Sequence, residues 1–223
     1  MDNSVCRQLG ERPTPNIIVY RAHNLCYINS PKSACSTIKA ALAPLLGIDA
    51  STGANIHALY KQHPEVGRYS FDTIPNNCFK FTCIRNPFDR LVSFYAEKVW
   101  HRKWEILAHY GINPGNIDNF REDFEAFVSQ VFAASGLEEH LARQVPTLRL
   151  SRMDCVLRFE TFARDFPVIL SMAGLDVPLP YRNKSRHGHY TDYYTPYSRE
   201  LAECLYREDL DVLGYSCKKS CKT

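Results

Sequence analysis

Three segments of the sequence repeat one order: a short apolar run, a polar turn, and a stretch with apolar residues at helical spacing. The apolar runs are residues 25–29, 78–84 and 155–159, and the helical patterns that follow them are residues 36–46, 88–100 and 160–173. Strands that alternate with helices are typical of a parallel sheet covered by helices. We therefore predict an α/β fold: a single domain with a central, mostly parallel sheet flanked by helices.

The remaining segments complete this plan without a recognisable linker or repeat. We predict a further strand at residues 17–20, a mostly helical insert at residues 119–135 and 137–150, and another helix at residues 196–213. The predicted organisation is a flexible lead-in at residues 1–16, one domain at residues 17–215 and a tail at residues 216–223.

Composition and charge exclude several classes of protein. The net charge of +3 is too small to indicate a nucleic-acid partner. No apolar run approaches the roughly 20 residues of a membrane span, and the N-terminus lacks the apolar stretch of a signal peptide. The nine cysteines stand at irregular spacings without the paired pattern of a zinc site. We expect most of them to be reduced and buried, which favours a cytoplasmic setting, and we expect no metal.

The segment CYINSPKSACSTIKAAL, residues 26–42, predicts a site for an anion. A strand that runs through a short turn into a helix directs backbone N–H groups and the positive end of the helix dipole at one spot. Lys32 lies in that turn, with the hydroxyl groups of Ser33, Ser36 and Thr37 beside it. The loop is not a Walker loop, because GxxxxGK[ST] is absent. In the alternative interpretation, Ser36 only caps the helix and Lys32 is a solvated lysine.

The second unit contains the segment FTCIRNPFDRLVSFY, residues 81–95. Arg85 follows the predicted strand, and Ser93 lies about two turns into the predicted helix, so both can contact one group at the carboxyl edge of the sheet. An arginine can fork onto a phosphate, to which the serine hydroxyl adds a third hydrogen bond. For Arg90 we expect a surface ion pair.

Together, PKSACSTIKAAL and RNPFDRLVSFY resemble the two nucleotide-binding signatures of sulfotransferases that use 3′-phosphoadenosine 5′-phosphosulfate (PAPS). They are similar to the patterns PKxGxT and R[ND]PxxRLxSxY of carbohydrate sulfotransferase family 2. The resemblance spans roughly residues 25–215 and includes segments at residues 139–144, 157–162, 183–185 and 206–215. Ala34 stands where glycine is commoner, which raises the question whether this position needs a positive φ. The resemblance implies a P-loop-like nucleotide-binding fold, with PAPS as donor and 3′-phosphoadenosine 5′-phosphate (PAP) as product.

The resemblance also implies roles for individual residues. Lys32 offsets the charge of the departing 5′-phosphate, and the loop amides with two hydroxyl groups hold that phosphate. Arg85 and Ser93 hold the 3′-phosphate, and a loop near residue 185 closes over the nucleotide. The implied nucleotide-binding residues are Lys32, Ser33, Ala34, Cys35, Ser36, Thr37, Arg85, Ser93, Ser185 and Arg186.

An acceptor hydroxyl must also lose its proton, which requires a base. Among the eight histidines we favour His57, because it lies between the two phosphate signatures, where members of the family with a histidine base carry it. His140, which follows Glu139, is the second candidate, as base or as substrate ligand. Glu160 opens the third helical pattern, where we expect a structural role; it is the next candidate if neither histidine is the base.

The leading hypothesis is therefore sulfuryl transfer from PAPS to a hydroxyl group, with a carbohydrate as the expected acceptor. A small-molecule kinase with an atypical phosphate loop is a second hypothesis, disfavoured by the missing Walker glycines and the lack of a clear acidic Mg²⁺ ligand. A non-catalytic nucleotide- or polyanion-binding module is a third. The familiar animal members carry an N-terminal membrane anchor that is absent here, so a cytoplasmic member and a trimmed Golgi-type member both stay open. The acceptor's identity and the oligomeric state stay open as well.

Overall fold

The structure, a computed structural model, describes residues 14–177 and 187–217. Within this part the chain forms two compact units. Residues 14–85 and 148–177 form one, which we call the sheet unit, and residues 86–147 and 187–217 form the other, the helical unit. The predicted domain boundaries at residues 17 and 215 stay predictions.

The strands are β1 Ile17–Tyr20, β2 Leu25–Ile28, β3 Phe79–Ile84 and β4 Cys155–Arg158. The helices are α1 Cys35–Leu42, α2 Ile56–Gln62, α3 Pro87–Phe94, α4 Trp104–Leu107, α5 Asp118–Arg121, α6 Phe124–Ala133, α7 Gln144–Leu148, α8 Phe162–Met172, α9 Pro196–Leu205 and α10 Arg207–Leu213.

The sheet unit contains one four-stranded sheet in the order β1-β2-β3-β4. β1 pairs antiparallel with β2, whereas β2 with β3 and β3 with β4 are parallel. The α/β fold with a mostly parallel sheet and flanking helices is thereby confirmed. Because β2, β3 and β4 are parallel, their carboxyl ends meet at one edge of the sheet, which is where open α/β sheets bind ligands.

The core of the sheet unit lies between the strands and α1, α2 and α8. On α8 the buried residues recur at helical spacing, and Phe162 and Phe166 stack with ring centroids 4.7 Å apart. Further large buried side chains of this core are Ile18, Tyr20, Tyr27, Ile38, Leu42, Tyr60 and Phe81. The packing fixes α1 against the sheet. The loop before α1 is therefore anchored at both ends, by β2 and by α1.

The helical unit has its own aromatic core, in which Phe94 stacks on Phe127 and Tyr95 meets Phe124 edge to face. The predicted helix at residues 88–100 is α3 followed by a π-helical segment, Tyr95–Val99. The predicted helix at residues 196–213 is α9 and α10, which break at Tyr206.

Two predictions for the helical insert need correction. The stretch at residues 119–135 is interrupted, because Asp123 is extended and its carboxylate accepts the N–H of Ala126 at the start of α6. The helix expected at residues 137–150 is wrong for most of its length, since only α7 is helical. No helix in the described ranges is long and apolar enough to cross a membrane.

Candidate active site

The loop between β2 and α1, residues 29–34, has a strained backbone. Lys32 and Ala34 both have positive φ angles, of +66° and +59°. A left-handed conformation costs a residue with a side chain roughly 1–2 kcal/mol, and such strain clusters at functional sites. The position of Ala34 does require a positive φ, so the glycine that is commoner in the resembled pattern suits it.

Hydrogen bonds close this loop into a compact turn. Ser33 N donates to Ser30 O at 3.3 Å, the Ser30 hydroxyl donates to the Ser33 hydroxyl at 3.3 Å, and Ile38 N donates to Ala34 O at 3.0 Å. Ala34 is the N-cap of α1, so the alternative role of Ser36 as the cap is wrong. The first turn of α1, with Cys35, Ser36 and Thr37, therefore directs its N–H groups toward the loop.

Arg85 joins the loop from the end of β3. Its side chain is buried, and one Nη1–H donates to the backbone carbonyl of Lys32 at 3.0 Å. The guanidinium lies over the ring of Phe159, which follows β4, with Cζ 4.1 Å from the ring centroid. The structure thus brings Arg85 and the Lys32 loop together at the carboxyl edge of the sheet.

His57 also lies beside the loop, in the first turn of α2. The Asn55 side chain accepts the N–H of His57 at 3.0 Å and caps this helix. The ring contacts α1 through both nitrogens: Nε2 lies 2.9 Å from Ser36 Oγ, and Nδ1 lies 3.2 Å from Lys39 Nζ. Lys39 is only 3% exposed. Sequence reasoning missed Lys39, although a lysine within the apolar pattern of α1 is the kind of signal that could have found it.

Groups beneath the loop are neutral at ordinary pH. Burial raises the pKa of Tyr27 and Tyr60 well above the usual value for a tyrosine, and Tyr60 Oη donates to Lys39 O at 2.7 Å. Burial raises the pKa of Cys26 to about 12 and that of Cys83 well above the usual value for a thiol. Burial thus keeps these four groups uncharged, while Lys32, Lys39 and Arg85 bring basic side chains to the loop, which favours an anion.

The cysteines of the described part are free thiols: Cys26, Cys35, Cys78, Cys83, Cys155, Cys204 and Cys217. Cys26, Cys78 and Cys83 are buried and the other four are half-buried, so burial is less general than expected. Within residues 14–177 and 187–217, no group of three or more His, Cys, Asp or Glu side chains is arranged to hold a metal ion.

Other predicted site residues belong to the helical unit. Ser93 is buried on α3. His140 Nδ1 lies 2.7 Å from Glu138 Oε2, and His140 N donates to Glu138 Oε1 at 3.0 Å. The carboxylate that orients His140 is thus Glu138, whereas Glu139 Oε1 lies 4.0 Å away.

The surface ion pair expected for Arg90 is wrong. Arg90 is 2% exposed and donates to the carbonyl oxygens of Ala142 at 2.7 Å and Glu139 at 3.4 Å. It therefore braces the segment that carries His140. Glu160 lies in the 3-10 turn Phe159–Thr161 ahead of α8. The predicted contacts Ser185 and Arg186 lie outside the described residues.

The mostly parallel sheet, the strained loop between a strand and a helix, and the buried basic groups at the loop define an α/β protein of the kind that binds ligands at this edge of the sheet. The family model described as "Sulfotransferase family" matches residues 15–216, and the chain belongs to this family.

Two curated relatives are similar at low identity. Carbohydrate sulfotransferase 10 of Xenopus laevis is 23% identical over 237 residues, which cover 89% of this chain and 67% of the relative. Carbohydrate sulfotransferase 10 of Rattus norvegicus is 25% identical over 189 residues, covering 72% of this chain and 53% of the relative. No solved structure matches the chain significantly.

Proposed function

We propose that this member of the sulfotransferase family moves a sulfuryl group from PAPS to a hydroxyl group of a carbohydrate. The observation that carries the proposal is the strained loop around Lys32, held from β3 by Arg85 Nη1 at 3.0 Å. The family match supports sulfuryl transfer, and the printed names of the relatives support a carbohydrate acceptor.

The residues of the loop fit the 5′ end of such a donor. PAPS supplies an activated sulfuryl group, whose bond to the 5′-phosphate oxygen breaks as a bond to the acceptor oxygen forms. Lys32 offsets the negative charge that develops on the departing phosphate. The N–H groups of residues 33–37, with the hydroxyls of Ser36 and Thr37, bind that phosphate at the start of α1. Positioning and electrostatics then supply most of the catalysis.

Arg85 and Ser93 are the proposed ligands of the 3′-phosphate, with Ser185 and Arg186 as further contacts. A guanidinium suits this role because its fork of N–H donors matches phosphate oxygens. One Nη1–H of Arg85 donates to Lys32 O at 3.0 Å, so the proposed phosphate ligand also supports the loop.

A histidine takes the proton of the acceptor hydroxyl in this proposal. The sequence favours His57, and the contact of its ring with Ser36 puts it beside the proposed phosphate site. His140, paired with Glu138, is the second candidate. A carbohydrate partner and a cytoplasmic setting stay predictions, as do the alternatives of an atypical kinase and a non-catalytic binding module.

Thermal denaturation with EDTA present separates the three functions. We expect PAP to raise the Tm and ATP to raise it less. Heparin without PAP should not raise the Tm. Stabilisation by ATP only when Mg²⁺ is added would favour the kinase, and stabilisation by heparin without PAP would favour a polyanion-binding module.

A second assay follows transfer of label from PAPS to a panel of carbohydrates. PAP binding without transfer to any acceptor class, phenols included, would contradict the proposed activity.

A further inference from the structure

The two histidines considered as bases differ in the group that faces Nδ1. For His57 it is the amino group of Lys39 at 3.2 Å, and for His140 it is the carboxylate of Glu138 at 2.7 Å. A neutral imidazole has one nitrogen that donates and one that accepts a hydrogen bond. The partner of Nδ1 therefore decides whether Nε2 carries a proton or a lone pair.

The ring of His57 is held as a donor. When Lys39 carries its ammonium charge it can only donate, so in that state Nδ1 accepts from Lys39 and the proton of a neutral ring lies on Nε2. Nε2–H then donates to Ser36 Oγ at 2.9 Å. Ser36 and Lys39 are three residues apart on α1, so one face of that helix holds both edges of the ring.

Lys39 is well placed to keep this arrangement. Its side chain is buried, and Nζ lies over the ring of Tyr60 at 5.7 Å from the centroid. The Tyr60 hydroxyl donates to the backbone carbonyl of Lys39 at 2.7 Å, and Asn55 caps the helix that carries His57. Both partners of the hydrogen bond thus have fixed backbones.

The ring of His140 has the opposite polarity. A carboxylate can only accept, so Nδ1–H donates to Glu138 and Nε2 carries the lone pair. The same carboxylate accepts the backbone N–H of His140 at 3.0 Å. A base needs a lone pair, and the imidazolium it forms is stabilised by a neighbouring carboxylate but disfavoured by a neighbouring ammonium group.

We propose that Lys39 is a positioning residue that holds His57 as a hydrogen-bond donor to Ser36 in the first turn of α1, and that His57 is not the base. This inference rests on the proposed function and reverses the preference drawn from the sequence.

Nitrogen NMR of the full chain labelled with ¹⁵N-histidine tests the proton positions without any turnover. Spectra at about pH 8, above the ordinary pKa of histidine, distinguish protonated from unprotonated ring nitrogens. We expect His57 to carry its proton on Nε2 and His140 on Nδ1, with each signal assigned by loss in His57→Gln and His140→Gln. A His57 proton on Nδ1 would overturn the proposal.

Two substitutions at position 39 test the cause. Lys39→Met removes the ammonium group but keeps an unbranched stem, and it should release His57 from the single tautomer. Lys39→Arg keeps a donor and should preserve the tautomer. His140 should be unaffected in both variants and serves as the internal control. An unchanged His57 signal in a folded Lys39→Met protein would contradict the role of Lys39; if that variant does not fold, the wild-type spectrum still decides the tautomer.

Kinetics with labelled PAPS test the consequence for the reaction. A glutamine amide can replace a donor at Nε2 but cannot act as a base at neutral pH, so His57→Gln should restore most of the kcat lost in His57→Ala. Equal losses in His57→Gln and His57→Ala would identify His57 as the base and overturn the proposal. If the wild-type protein neither binds PAP nor transfers the sulfuryl group, the proposed function is rejected. The NMR result on the proton positions would still stand.

Discussion

Arg85 Nη1 donates to the backbone carbonyl of Lys32 at 3.0 Å, which ties the two predicted nucleotide-binding signatures together within the sheet unit. Lys32 has a positive φ and is followed two residues later by a second strained position. A charged donor on this carbonyl helps to hold a loop conformation that an isolated chain would rarely adopt. Arg85 therefore contributes to the shape of the site as well as to its charge.

Substitution of Arg85 separates these two contributions. Arg85→Ala should weaken PAP binding by about 1.5–3 kcal/mol, the range for a hydrogen bond with a charged partner. Binding of adenosine 5′-phosphosulfate, which lacks the 3′-phosphate, should fall much less. Isothermal titration of both ligands checks this prediction, with Arg85→Lys as the variant that keeps the charge. If both ligands lose the same free energy, Arg85 acts only by supporting the loop.

Lys32 should matter more for turnover than for binding. If its charge acts on negative charge that develops only as the phosphate leaves, Lys32→Ala lowers kcat by roughly 100-fold or more while PAP affinity changes much less. Exposed Lys61 on α2 offers a matched control, and Lys61→Ala should leave kcat unchanged. A Lys32→Ala enzyme with normal turnover would remove Lys32 from the mechanism.

The loop position of Ala34 should tolerate glycine better than a helical alanine does. Ala34→Gly relieves a left-handed residue, which offsets the greater entropy of glycine in the unfolded chain, so its net effect on stability should be within about 1 kcal/mol. Ala40→Gly inside α1, where φ is helical, should lose roughly 1 kcal/mol. Ala34→Val should lose both stability and PAP binding, because a β-branched residue is strongly disfavoured at positive φ. Urea denaturation and PAP titration check the series; a loss of stability in Ala34→Gly larger than that in Ala40→Gly would mean that the strain is not released.

Much of the sheet unit could be predicted because its signals are local. The strand at residues 78–84 follows from apolar spacing, and so does α1 with the 3-10 turn Ala43–Leu46, which ends at Gly47 with a φ of +67°. The anion site around Lys32 follows from the order strand, turn, helix. The local pattern could not give the conformation of Ala34. A glycine at this position would indicate a positive φ, whereas an alanine gives no such signal.

The histidine environments could not be predicted, because they depend on tertiary contacts. α2 was not recognised, so nothing indicated that His57 would reach Ser36 and Lys39, 21 and 18 residues earlier in the chain. Arg90 was expected at the surface, because a charged residue in a helix is usually exposed. Its burial follows from two backbone carbonyls whose positions depend on the fold of residues 139–142.

The last prediction concerns a buried carboxylate, Asp209 on α10. Its two oxygens accept the N–H groups of Gln144 at 2.7 Å and Val145 at 2.8 Å, at the start of α7. Burial raises the pKa of Asp209 above its ordinary value, despite the lowering effect of these two amides. Asp209→Ala leaves both amides without their acceptor, and we expect a loss of roughly 3 kcal/mol in the free energy of unfolding, measured by urea denaturation near neutral pH.

The pH dependence of that loss has a definite sign. Because the folded-state pKa of Asp209 is raised, its contribution to stability is fully present below the unfolded-state pKa and declines as the pH rises through the folded-state pKa. The difference in stability between the wild type and Asp209→Ala should therefore be larger at about pH 4 than at pH 7. Asp154 is the matched control: the backbone N–H of Lys80 is the main cause that lowers its pKa, with further help from the Lys80 side chain. The Asp154→Ala difference should shrink as the pH falls through the folded-state pKa of Asp154, and equal slopes for the two variants would contradict the raised pKa of Asp209.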